Sequence, residues 1–203
     1  MELIKTIKTA YNVIRIYKEK GKLFVFKPSK NIEKEILANK LAKIFGIKTI
    51  KIKSFKINNI RGIKMNYMKK STLLTRYKKE LNKTQIQELK KIILFDIWIG
   101  NKDRHTANIF VNRNLIAFDH EKVFNKAKGR QCIKLDTGRR LKKDYVDIIE
   151  KLIDKKLTAK EVLLKLGFKE FPKIKKEDIE NVVKDKELLK FLLSRADFNN
   201  IDF

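Results

Sequence analysis

The apolar residues of this chain change their period near residue 68, and that change restricts the fold more than any other feature. Before it, β-branched and aromatic residues come in short runs. Residues 12–17 (NVIRIY) and 22–27 (KLFVFK) are two such runs, with a polar turn ending at Gly21 between them, so they predict a hairpin that Pro28 closes. Asn31 is placed to cap a helix running to about Phe45, and Gly46 to stop it. Residues 47–57 read as a strand, and 60–68 as another after the Asn58-Asn59 turn. Beyond Lys69 the spacing becomes helical: Ile86, Leu89, Ile93 and Ile97 step along one face behind Thr84 as the expected cap. That helix ends at Gly100-Asn101. A polar loop, a strand at 109–111, a turn at Asn112 to Asn114 and a strand at 115–118 follow. A basic stretch covers 122–140, and about three helices fill the C-terminus, one opened by a Thr158/Glu161 capping box. The expected fold is therefore α+β and two-lobed: a small β-rich lobe with one helix over 1–68, and an α-helical lobe over 69–203. Ligands favour the cleft between such lobes.

The chemistry concentrates between Gly100 and Asp119, GNKDRHTANIFVNRNLIAFD. Asp103 and Asn108 are five residues apart in a loop directly after a helix, and Asp119 follows a tight hairpin. Carboxylate and amide oxygens are the ligands that magnesium takes. Phosphoryl transfer needs a group that orients or deprotonates the acceptor, oxygen ligands for the metal, and a cation on the phosphates. An Asp five residues before an Asn is the spacing of a kinase catalytic loop.

The segment from Asp96 to Asn108, DIWIGNKDRHTAN, resembles the catalytic segment of the HipA-like kinases, and its Asp-Arg-His core is similar to that of the phosphoinositide kinases. Upstream, FVFK ending at Lys27 and EILANKLAKIFG from Glu35 to Gly46 look like the nucleotide-lysine strand and the following helix of that family. The resemblance spans about 12–124 and implies a protein-kinase-like fold, ATP and Mg2+ as cofactors, and a Ser/Thr hydroxyl of a protein as acceptor, with a small-molecule hydroxyl as the other choice. Carried over by position, it makes Asp103 the catalytic Asp and Asn108 and Asp119 the metal ligands. Lys27 becomes the contact to the α/β-phosphates, paired with Glu35 on the helix. Helical geometry gives Glu33 a rival claim, because Glu33, Leu37, Leu41 and Ile44 share a face. The sequence departs from the family in two places. No Gly-rich phosphate loop precedes Lys27, so Pro28 to Ile32 and the helix N-terminus are left to cover the phosphates. His120-Glu121 follows Asp119 in place of Phe-Gly.

Other residues read more plainly. Phe95 and Trp98 are core. His105 reads as a hydrogen-bonding residue of the loop, and His120 as a neighbour of the metal Asp. Asp96 either accepts bonds from the catalytic loop or faces solvent, and Arg104 either clamps a phosphate or neutralises Asp103.

Composition sets outer limits. Hydrophobic residues at 43% exclude a disordered chain. Fifty basic against 24 acidic residues give +26, which suits a polyanionic partner. The charge is mostly Lys and spread along the whole chain, however, so solvated faces and a compositional bias of heat-loving organisms explain it better than nucleic acid does. Cys132 is alone, which excludes an intrachain disulfide and suits a reducing cytoplasm. No signal-like segment opens the chain. The most apolar stretch, 92–100, contains Asp96 and falls short of the ~20 residues of a membrane span. A cytoplasmic, membrane-free protein is expected. The reading that competes with an active kinase is a nucleotide-binding module without turnover that acts through its basic surface, on nucleic acid among other partners.

Overall fold

The computed structural model describes residues 1–8, 13–101, 103–124 and 158–196. Most of the basic stretch at 122–140, and Cys132 with it, lies outside the described residues. Five antiparallel strands form the first sheet, in the order β1-β2-β3-β5-β4. They are β1 (Glu2–Lys8), β2 (Val13–Glu19), β3 (Lys22–Pro28), β4 (Ile52–Ile57) and β5 (Ile60–Asn66). β2 and β3 form the expected hairpin, with Glu19 opposite Lys22. The two residues between them, Lys20 and Gly21, both have positive φ, the turn whose twist matches that of the strands. β1 was not expected from the sequence. Its residues are all exposed, so no buried face imposes a period on them. The expected strand at 47–57 is shorter than predicted: only Ile52–Ile57 is a strand, and Thr49 instead makes an isolated parallel bridge with Ala117 of the second sheet.

Helix α1 (Ile32–Ile44) sits between β3 and β4. Asn31 occupies the cap position without a side-chain cap bond; its N–H donates to Ser29 Oγ instead. Its end is a Schellman motif, in which Ile47 N–H donates to Ala42 O and Gly46 N–H to Lys43 O. The inward stripe of α1 is Ile32, Glu35, Ala38, Asn39, Leu41 and Ala42.

Helix α2 (Lys83–Trp98) begins two residues earlier than a cap at Thr84 predicts. Asn82 is its cap, in a reciprocal box with Gln85. An Asn that both accepts from the third N–H and receives the Gln side chain satisfies two orphan donors, which Thr84, inside the first turn, cannot do. After α2 come a 3-10 turn at Thr106–Asn108 and the hairpin β7 (Ile109–Val111) and β8 (Leu115–Ala117). β7 also pairs with the short β6 (Thr72–Leu73). The three remaining described helices are α3 (Ala159–Lys165), α4 (Lys176–Val182) and α5 (Lys186–Ala196). Thr158 and Glu161 make the expected capping box on α3.

One large core joins α1, α2, the β7-β8 hairpin and the C-terminal helices. Phe45, the C-terminal cap residue of α1, packs among Phe95, Trp98 and Phe171. Phe95 and Trp98 are wholly buried. α5 is tied to the end of α2 by polar bonds as well: Trp98 Nε1 donates to Leu192 O, and Arg195 donates to Ile97 O and Trp98 O. A separate, smaller cluster of Tyr17, Phe24, Phe26 and Ile57 lies on the first sheet.

Candidate active site

Lys27 is the penultimate residue of β3 and only 3% exposed. Its register explains the burial. Lys27 pairs with Ile63, and the next pair, Pro28 with Gly62, brings two backbones into close approach. A Cβ on Gly62 would lie 2.4 Å from Lys27 O and 2.8 Å from the Phe26 ring. The ammonium is surrounded by carboxylates: Asp119 Oδ1 at 2.6 Å, Glu121 Oε2 at 3.0 Å and Glu35 Oε2 at 3.5 Å. Glu35 lies on the inward stripe of α1 and is 2% exposed. Glu33 lies on the outer side and pairs with Arg61 in solvent.

One ammonium shared by three acids leaves the most buried acid undercompensated. Burial pushes Glu35 up to about 7, with Asp119 and Glu121 adding to the effect and Lys27 opposing it. For Lys27, burial acts to lower the pKa, but Glu35, Asp119 and Glu121 together outweigh it and raise it above the ordinary lysine value. Lys27 is therefore cationic throughout the neutral range.

The loop after α2 is built on Asp96. Helix α2 ends in a second Schellman motif, with Asn101 N–H on Asp96 O and Gly100 at φ 62°. The Asn101 side chain turns back to donate to Asp96 Oδ1 at 2.7 Å and accepts from Asp103 N–H at 3.1 Å. Asp96 is thus a buried acceptor for the loop and does not face solvent. Arg104 is buried too and binds Asp96 through both carboxylate oxygens, at 2.8 and 3.0 Å. It also donates to Asn108 O and Phe118 O and reaches His120 Nδ1 at 2.8 Å. Neither expectation for Arg104 holds: its donors are committed to holding the helix end, the loop and the chain after β8 together, and not to a phosphate or to Asp103. The His105 carbonyl accepts from Asn108 N–H, a loop bond made by backbone.

Asn108 and Asp119 are brought side by side by the hairpin. Ile109 pairs with Ala117, and Phe118 N–H donates to Asn108 O. Asn108 Nδ2 donates to Asp103 O at 3.0 Å, so its Oδ1 is the atom of the side chain with acceptor lone pairs. Asp119 has φ 57°, the left-handed region that costs a non-glycine residue about 1 kcal/mol and clusters at functional sites. The next side chain, His120, is fully buried, packs edge-on against Phe95 and is held neutral, its pKa lowered by burial and then by Arg104 and Lys27. Because Arg104 only donates, Nδ1 of His120 accepts and the proton sits on Nε2.

Asp103 is half-exposed, and Lys122 Nζ lies 3.0 Å from its Oδ2. Glu121 and Lys122 were not singled out from the sequence. The signal available was position alone: both directly follow the Asp119-His120 pair. Among the described residues, no group of three or more His, Cys, Asp or Glu side chains is arranged to hold a metal. A shallow cleft lined by Gly46, Lys48, Glu88 and Lys91 lies away from these residues.

A lysine strand, a helix acid, a loop Asp and Asn, and a post-hairpin Asp, arranged between a β-rich lobe and a helical one, define a kinase-like phosphotransferase. CtkA, a proinflammatory kinase of Helicobacter pylori, shares the fold: it aligns over 96% of this chain and 92% of its own with a TM-score of 0.54, at 13% identity. WaaP, solved in complex with acyl carrier protein, aligns over 96% and 87% at 9% identity, with a TM-score of 0.46, a likeness too loose to argue from. The profile of the phosphatidylinositol 3- and 4-kinases matches residues 1–166, and the chain belongs to that family. No curated protein matches the sequence. Of the two resemblances read from the catalytic loop, the family match falls on the phosphoinositide kinases.

Proposed function

We propose that this protein transfers the γ-phosphate of ATP, with Mg2+, to a hydroxyl, and that the acceptor is a Ser or Thr side chain of a protein. The observation that carries the reading is the buried ion pair of Lys27 with both Glu35 and Asp119, which joins the lysine strand to the chain after the hairpin. A lysine kept cationic by carboxylates is a ready partner for phosphate oxygens, which can take the place of one of those carboxylates. In this reading Lys27 neutralises the α/β-phosphates and Glu35 holds its ammonium in place. Asp119 and Asn108 Oδ1 would hold the metal. Two oxygen donors suit magnesium, which completes its shell with phosphate oxygens and water. When bound, the ion offsets the charge of the phosphates. Asp119, which pairs with Lys27 in this structure, would then be a metal ligand, and the Lys27 ammonium would be available to phosphate. Asp103, fixed through Asn101 and Asn108, accepts the proton of the acceptor hydroxyl as the oxygen attacks in line.

A second reading, an inositol headgroup as acceptor, is favoured by the family match and by the +26 charge, which draws the protein to anionic lipid. The two separate in one experiment. The protein is incubated with γ-labelled ATP and Mg2+, with a Ser/Thr-rich protein in one tube and phosphatidylinositol vesicles in another. Label in protein, including the chain itself, supports the first reading. Label confined to lipid replaces it with the second. ATP binding without label in either leaves only the inactive module.

A further inference from the structure

Resting on the reading above, we propose that Lys122 is a catalytic residue, a second phosphate-binding cation that contacts the γ-phosphoryl group beside Asp103. Its ammonium lies 3.0 Å from Asp103 Oδ2, the oxygen pair assigned to the acceptor hydroxyl. It reaches there from the segment that begins at Asp119, the residue assigned above to the metal.

The backbone of this segment is held for that purpose. His120 is buried against Arg104 and Phe95, and the positive φ of Asp119 turns the chain just before it. With His120 pinned inward, its neighbours on both sides pair with the assigned residues: Asp119 and Glu121 with Lys27, and Lys122 with Asp103. Folding does not require the last of these contacts. The Lys122 and Asp103 side chains are 63% and 41% exposed, and an exposed pair of that kind adds little stability. The chemistry does have a use for it. Lys27 is at the buried end of the cluster, where the α/β-phosphates are assigned. The γ-phosphoryl, whose equatorial oxygens carry charge during in-line transfer, needs a cation near Asp103. Beside a lone carboxylate, an ammonium also keeps the approaching phosphate from meeting bare negative charge.

The test uses nucleotide binding, which does not depend on knowing the acceptor. Affinities for Mg-ADP and for the Mg2+ complex of a β,γ-imido ATP analogue are measured for the wild type, Lys122→Met, Lys122→Arg and Lys27→Met. The expected result is that Lys122→Met loses about tenfold in affinity for the analogue, the worth of one hydrogen bond to a charged group, with Mg-ADP unchanged. Lys122→Arg recovers most of the loss, and Lys27→Met weakens both nucleotides. An equal loss for both nucleotides in Lys122→Met, or no loss for either, overturns the role of Lys122 while leaving the site reading intact. No binding of either nucleotide to the wild type overturns both.

Discussion

Arg104 shows most directly how single residues carry this site. It touches no expected ligand, yet it ties Asp96, the Asn108 carbonyl, the Phe118 carbonyl and His120 to one another. Replacing it with Ala leaves the Asp96 carboxylate buried without its cation. The expected cost is about 3–5 kcal/mol in chemical denaturation, far above that of an ordinary surface substitution. The sequence offered two roles for Arg104 and the structure gives it a third. Its partners lie at 96, 108, 118 and 120, and only the first two are within reach of local spacing. The common placement of Asp103, Asn108 and Asp119 was legible because it depends only on a short loop and a tight hairpin. Glu35 supplies a pH test. Its folded pKa of about 7 is above the ordinary 4.5, so between those values the folded state binds more protons than the unfolded. Its contribution to stability is fully present below about 4.5 and is lost as pH rises toward 7. Without nucleotide, melting temperature should therefore fall across that window, and the fall should be shallower in Glu35→Gln. A slope unchanged by the substitution would remove Glu35 as its source.

At the scale of elements, the register of β3 against β5 sets the position of Lys27. Gly62 is opposite Pro28, where a side chain would press on Lys27 O and Phe26. Gly62→Ala should cost about 1–3 kcal/mol through displacement of β3. The same shift should weaken nucleotide binding, although Gly62 is not assigned any ligand contact. Full stability together with full ATP affinity in that variant would show that β3 tolerates movement. The helices and the β2-β3 hairpin were readable because burial on one face, or a turn of fixed chemistry, imposes a period. β1 has no buried face, and β6 has two residues, so neither leaves a pattern. The rival claim of Glu33 arose from choosing the wrong stripe of α1. Leu37, Leu41 and Ile44 suggested that face, but of these only Leu41 is buried, and the stripe that packs inward runs through Glu35, Ala38 and Leu41.

On the scale of the whole molecule, the change of period near residue 68 gave the two-part plan, but not how the parts are joined. α1 belongs in sequence to the β-rich part and in packing to the large core, through Ala38, Leu41, Ala42 and Phe45. Glu35 is therefore fixed by the same body that fixes Asp96 and the loop after α2, while Lys27 arrives from the sheet. No described helix is long and apolar enough to cross a membrane. The central claim is that these residues make one magnesium-dependent phosphotransfer site. Its most direct measurement is the rate of γ-phosphate transfer from labelled ATP by wild type and Asp103→Ala, each with Mg2+ and with EDTA. Transfer is expected from the wild type only with Mg2+, at a rate about 10²–10⁴-fold lower in Asp103→Ala at undiminished stability. Transfer that persists in EDTA, or that Asp103→Ala leaves unchanged, would contradict it.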